Sequence, residues 1–181
     1  MYYPSFETFR TMSDQGNLIP VYREIIADME TPVSALMKLR FCPHLFLLES
    51  VEGGEKWGRY TFLGANPYLI FKVAGDEVYI SKNGKSQRIP HEGNPMKVLK
   101  NIMDDYRPVT VSGLPRFYGG AVGFLGYDMV RRFERLPDLK KSEGPAADAV
   151  FMITDTLIIF DNIRHTIKVV ACAVTDDAAD L

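Results

Sequence analysis

The segment LLESVEGGEKWGRY, residues 47–60, places an acid (Glu49), a hydroxyl (Ser50), a base (Arg59) and two aromatic rings (Trp57 and Tyr60) around one predicted turn. A small zwitterionic ligand with an aromatic side chain asks for such groups: an acceptor for its ammonium, donors for its carboxylate and an apolar slot. A strand over 44–50, a loop centred on Gly53-Gly54 and a returning strand from Tyr60 would bring Glu49-Ser50 and Arg59-Tyr60 to one end of a sheet. The competing reading is a surface pair between Glu49 and Arg59 with cross-strand aromatic packing, and composition alone favours it.

Other candidate chemistry is thinner. The glycines of GGAVGFLG match neither the dinucleotide fingerprint nor the phosphate loop. Gly120, Gly123 and Gly126 stand three apart, so along a strand they alternate faces and cannot all line one ligand; close approach of another backbone explains them better. His44, His91 and His165 lack metal-ligand spacing, and the nucleophile-elbow and zinc-protease motifs are absent, which leaves the histidines as structural or exposed. Asp104, Asp105, Asp176 and Asp177, and the run Arg131-Arg132-Phe133-Glu134-Arg135, read as solvated surface, the last anchored by Phe133 and Leu136.

With 21 Lys and Arg against 23 acids and no basic block, the chain lacks the cationic surface that nucleic acid requires. The N-terminus is polar every few residues and no apolar run approaches a membrane span, so neither a signal peptide nor a membrane helix is expected. Cys42 and Cys172, far apart and outside any CxxC, fit a reducing cytoplasm and small buried hydrophobes. At 181 residues and 46% hydrophobic, the chain can bury a sizeable core.

Ser5 caps a short helix over Phe6–Ser13, stopped by Gly16, and Pro20 confines NLIPVYREII to an edge strand or a strand start. Thr31-Pro32 opens a helix with Val33, Leu36 and Met37 on one face, ending near Pro43. Strands follow at 60–63 and 68–73, broken at Ala65-Asn66-Pro67, and DEVYISKNGKSQRI is a hairpin turning at Asn83-Gly84. Asn94-Pro95 starts an amphipathic helix lined by Met96, Leu99, Ile102, Met103 and Tyr106. FYGGAVGFLGYD is a glycine-rich strand, and two long strands are expected over 149–161 and 165–174, joined by a turn at Asp161-Asn162. The order is α+β with antiparallel strands, not alternating βαβ units.

The block LFLLESVEGGEKWGRYTFLGANP resembles the amino-terminal signature of anthranilate synthase component I, a family of chorismate-utilising enzymes, and PVYREIIADMETPVSALMKL resembles the approach to it. NPMKVLKNIMDDY, FYGGAVGFLGYDMVRRFERLP and DAVFMITDTLIIFD are similar to later blocks of the same region, so the resemblance runs in order over nearly all of residues 1–181. It implies two mainly antiparallel sheets packed as a sandwich with helices on the outer faces. It also implies that the LLES segment and the returning strand help form a regulatory site for L-tryptophan, with Glu49 and Ser50 facing Arg59 and Tyr60, and Trp57 nearby.

The family's catalytic carboxylates, which hold Mg2+, and its chorismate-gripping residues lie in a C-terminal half. This chain stops at DDAADL before them, and alone it is not expected to convert chorismate. The implied parent reaction aminates chorismate and releases pyruvate to give anthranilate, with ammonia from a glutamine amidotransferase subunit. The related aminodeoxychorismate synthase component I of folate synthesis shares this region and is the alternative enzyme; a scaffold or subunit-docking module with no ligand is the alternative of another class. A face built to lie on an absent half would expose apolar residues and favour self-association.

Overall fold

A computed structural model describes residues 1–50, 58–134 and 147–175. The chain forms two compact units, each built on a five-stranded antiparallel sheet, and the α+β class is as expected. Among the described residues no helix is long and apolar enough to cross a membrane.

The first unit comprises Met1–Pro67, Tyr106–Gly120 and the chain from Thr154 on. Its sheet has the order β1-β10-β9-β3-β2, formed by β1 (Leu18–Ile26), β2 (Leu45–Leu48), β3 (Tyr60–Ala65), β9 (Thr156–Asp161) and β10 (Thr166–Val174). Pro20 lies on the edge strand β1, as its missing N–H requires, opposite Cys172. Helix α1 (Phe6–Met12) starts where Ser5 Oγ accepts from Thr8 N. Helix α2 (Pro32–Lys38) carries a reciprocal capping box, Thr31 with Ser34, and ends before Pro43. Apolar residues of this sheet, Ile19, Leu63, Leu157, Ile159 and Val170 among them, are fully buried. Cys172 is buried too. Desolvation, then the charge of Asp155, push its thiol up to about 11, so it stays neutral and packs as a hydrophobe.

The second unit comprises Tyr68–Asp105 and, among described residues, 121–134 and 147–153. Its sheet runs β6-β5-β4-β8-β7, from β4 (Leu69–Ala74), β5 (Glu77–Lys82), β6 (Lys85–Pro90), β7 (Gly120–Leu125) and β8 (Ala149–Thr154). The β5–β6 hairpin turns on Asn83 and Gly84, both at positive φ, the geometry that made Asn-Gly legible as a turn. Helix α3 (Pro95–Asp104), capped by Asn94, packs Met96, Leu99, Ile102 and Met103 on a core of Leu69, Phe71, Val73, Val78, Ala149 and Ile153. Tyr106, expected on the same helix face, lies past the helix and in the first unit. His91 is a buried structural group: its ring bonds to Gly75 O at 2.9 Å through Nε2, and Nδ1 accepts from Gly93 N.

One strand expectation is corrected. The run 149–161 is not a single strand but β8 and β9, which belong to different sheets. The chain bends at Asp155, where Thr154 Oγ1 donates to Thr156 O and Asp155 O accepts from Cys172 N. Both halves are apolar, so hydropathy continues through a break that is made by hydrogen bonding.

Candidate functional site

β2 and β3 are antiparallel, with Leu48 opposite Phe62 as the last pair. Carried two residues further, that register would set Ser50 opposite Tyr60, although β2 itself ends at Leu48. Glu49 and Ser50 lie just past β2 and are exposed; Arg59 and Tyr60, at the start of β3, are half-buried. Trp57 and the Gly53-Gly54 loop lie outside the described residues, as do Arg135, Leu136, Asp176 and Asp177.

Among the described residues, the ion-pair partner of Arg59 is Asp161, the last residue of β9, and not Glu49. Nε lies 3.2 Å from each carboxylate oxygen, and Nη2 donates to Oδ2 at 2.7 Å. The Asp161 side chain is 1% exposed and that of Arg59 34%, so a buried carboxylate anchors a guanidinium that reaches solvent. The Tyr60 ring lies over the guanidinium, its centroid 4.8 Å from Cζ. Asp161 Oδ1 also accepts from Ile163 N and Arg164 N in the turn to β10. Asn162 completes the grip: its N–H donates to Arg59 O, and its Nδ2 donates to Gly58 O and Thr61 Oγ1.

Burial alone would raise the Asp161 pKa. The hydrogen bonds from Arg59, Arg164 and Ile163 and the Arg59 charge outweigh it, and the carboxyl sits below its ordinary value. A depressed folded pKa gives stability that is complete above the unfolded value, about 4, and is lost as pH falls through the folded one. Urea unfolding of wild type and Asp161→Asn should therefore show its widest gap near about pH 6 and a shrinking gap toward about pH 3. A gap that widens on acidification would contradict the assignment.

Residues paired across these strands share a face. Tyr60 pairs with Asp161, and Asp161 with Thr166, so all three side chains belong to one face of the first sheet. Among the described residues, Thr166 Oγ1 on that face is buried with no hydrogen-bond partner. Lys168, further along the same face, pairs with Glu24 at 3.1 Å. A groove of about 370 Å3, lined by Tyr2, Val21, Arg23, Ile25, Val169 and Ala171, opens on the opposite face, since Val169 alternates with Lys168. It is no part of the Arg59 site.

Arg59 and Tyr60 stand together at the start of β3, and Asp161-Asn162, expected only as a turn, also supplies the partner of Arg59. The available signal was an acid closing the apolar run TLIIFD, where a buried charge needs a partner. The arrangement can present a fixed cation edge and a ring to a small polar ligand.

No family model matches this chain. The sequence is similar to proteins named anthranilate synthase component 1. That of Acetivibrio thermocellus is 39% identical over 170 residues, 94% of this chain and 34% of the relative. That of Synechocystis sp. (strain ATCC 27184 / PCC 6803 / Kazusa) is 41% identical over 173 residues, with the same coverage. That of Pseudomonas aeruginosa is 37% identical over 169 residues, 92% of this chain and 34% of the relative. The chain thus spans about a third of the length of the curated relatives it matches, in their amino-terminal part. Among solved structures, the crystal structure of anthranilate synthase component I from Streptococcus pneumoniae TIGR4 is 28% identical, with a TM-score of 0.49, over 85% of this chain and 31% of that one.

Proposed function

We propose, from the relation of this chain to the amino-terminal part of anthranilate synthase component I, that it is the regulatory region of such an enzyme. In this reading it binds L-tryptophan at the end of the first sheet. Glu49 takes the ammonium, Ser50 and Arg59 take the carboxylate, and Tyr60, with Trp57, flanks the indole. The observation that carries the reading is the convergence of the β2 end and the β3 start, with the Arg59 guanidinium held in place beside them.

The parent would make anthranilate from chorismate in the cytoplasm, with ammonia supplied by a glutamine amidotransferase subunit. Magnesium and the amination chemistry belong, in this reading, to a part of the parent that this chain does not contain. Feedback inhibition follows if L-tryptophan binds one state of the parent more tightly than another, because a ligand shifts an equilibrium only by its differential affinity.

The test is thermal unfolding of the natural polypeptide that carries this chain, with L-tryptophan against D-tryptophan and L-phenylalanine. A ligand of the folded state alone, at 100 times its dissociation constant, stabilises by about 2.7 kcal/mol. A shift with L-tryptophan, absent for both controls and lost in Ser50→Ala, is the expected result. Equal responses to all three amino acids, or none, would remove the proposal.

A further inference from the structure

By sequence, Arg59 has two open fates, a ligand's carboxylate or a surface pair with Glu49. The structure shows a third. Asp161 holds one edge of the guanidinium, Nε and one N–H of Nη2, while Asn162 bonds the backbone of Gly58 and Arg59 and the Thr61 hydroxyl. Arg59 is thus fixed through its side chain and its main chain by the same two-residue turn. A guanidinium is planar with five donors in a rigid fork, so fixing one edge also fixes the direction of the other. The second edge, Nη1 with the remaining N–H of Nη2, has no bonded acceptor among the described residues, and the side chain is a third exposed.

A cross-strand ion pair kept only for stability would not account for the neighbouring hydroxyl. Thr166 sits opposite Asp161 in the strand register, and its Oγ1 is buried without a partner among the described residues. Buried hydroxyls are ordinarily hydrogen-bonded, and this orphan lies across the strand register from the Asp161 that holds Arg59. A parallel pair of N–H donors is the complement of a carboxylate, which it binds in bidentate fashion.

We propose that Asp161 is a positioning residue: it presets the outer edge of the Arg59 guanidinium as the receptor for the carboxylate of the bound amino acid. The inference rests on the tryptophan reading above and goes further in assigning Asp161 a role in ligand recognition. Pre-organisation lowers the ordering cost of binding, so the benefit is specific to ligands that own a carboxylate. The sign is diagnostic. If Asp161 acted only as a nearby negative charge, its removal would strengthen binding of an anionic group. As a positioning residue, its removal weakens that binding.

The experiment compares L-tryptophan with L-tryptophanamide, which keeps the indole and the ammonium but lacks the carboxylate. Both are titrated calorimetrically into the natural polypeptide and its Asp161→Asn variant. Wild type should prefer L-tryptophan by about tenfold or more, the range expected for charge-assisted hydrogen bonds. Asp161→Asn should lose most of that preference by weakening L-tryptophan, with the amide unchanged. Should Asp161→Asn fail to fold, Asn162→Ala, at an exposed position, tests the same grip and should lower the preference in the same direction. A preference that survives or grows in the variants, or an equal loss for both ligands, overturns the positioning role and leaves the tryptophan site standing. A wild type that binds neither ligand overturns both.

Discussion

Gly123→Ala should unfold the sheet of the second unit. A Cβ built on Gly123 would stand 1.9 Å from Val150 O, 2.8 Å from Val150 C and 2.7 Å from Phe151 Cα. These are main-chain atoms of β8, and they cannot step aside as a side-chain tip would. β8 is registered residue by residue on β4, from Leu69 opposite Ile153 to Val73 opposite Ala149, and the same residues make the unit's core. Relief therefore requires β7 to leave β8, or β8 to leave β4. Overpacking in a well-packed site ordinarily costs about 1–3 kcal/mol, and a clash with fixed backbone belongs at or above the top of that range. Gly75→Ala is the control: its φ is +58° and its Cβ would meet nothing within 4 Å, so it carries only the left-handed backbone penalty of about 1–2 kcal/mol. Equilibrium urea unfolding with hydrogen exchange across β7, β8 and β4 checks both. Equal midpoints for the two variants would show that β7 is not packed on β8 as described.

This glycine also shows what the sequence could say. The spacing of Gly120, Gly123 and Gly126 argued against a ligand loop and for close backbone approach, and Gly123 against β8 is such an approach; a Cβ on Gly126 would likewise stand 2.8 Å from Asp148 O. Helix caps at Ser5, Thr31 and Asn94 and the Asn83-Gly84 turn were legible because each is decided by a few neighbouring residues. The break at Asp155 was not, since both flanking halves are continuously apolar and the choice of sheet is a long-range matter. The site divides in the same way. The antiparallel pairing of β2 with β3 is local. The partner of Arg59 lies 102 residues away and is delivered by the order β9-β3, which no local pattern encodes. A charge can be read as needing a partner long before the partner can be read.

The same face of the first sheet carries a second buried ion pair, and its loss should be nearly as costly. Lys168 is opposite Ile159 on one side and Glu24 on the other; its side chain is 4% exposed and that of Glu24 is 32%. The two partners are therefore unequal. Glu24 can recover water if its partner is removed, whereas Lys168 cannot reach water without disturbing the strands around it. Glu24→Gln keeps the shape and one acceptor but leaves the ammonium without a countercharge in a site where hydration is closed to it. Breaking a buried pair from one side costs about 3–5 kcal/mol, and the partial exposure of Glu24 sets the expectation near about 3 kcal/mol. In a domain of this size that is about 6–12 °C in Tm. Lys168→Met removes the buried charge itself and should cost much less, and adding it to Glu24→Gln should restore most of the lost stability, because a neutral pair of similar volume has no charge to desolvate. The double-mutant cycle, read by thermal unfolding, turns on that asymmetry. Equal losses for the two single variants would mean that Lys168 finds solvent by a path the strand packing does not show, and additive losses in the double variant would mean that the pair is not coupled at all.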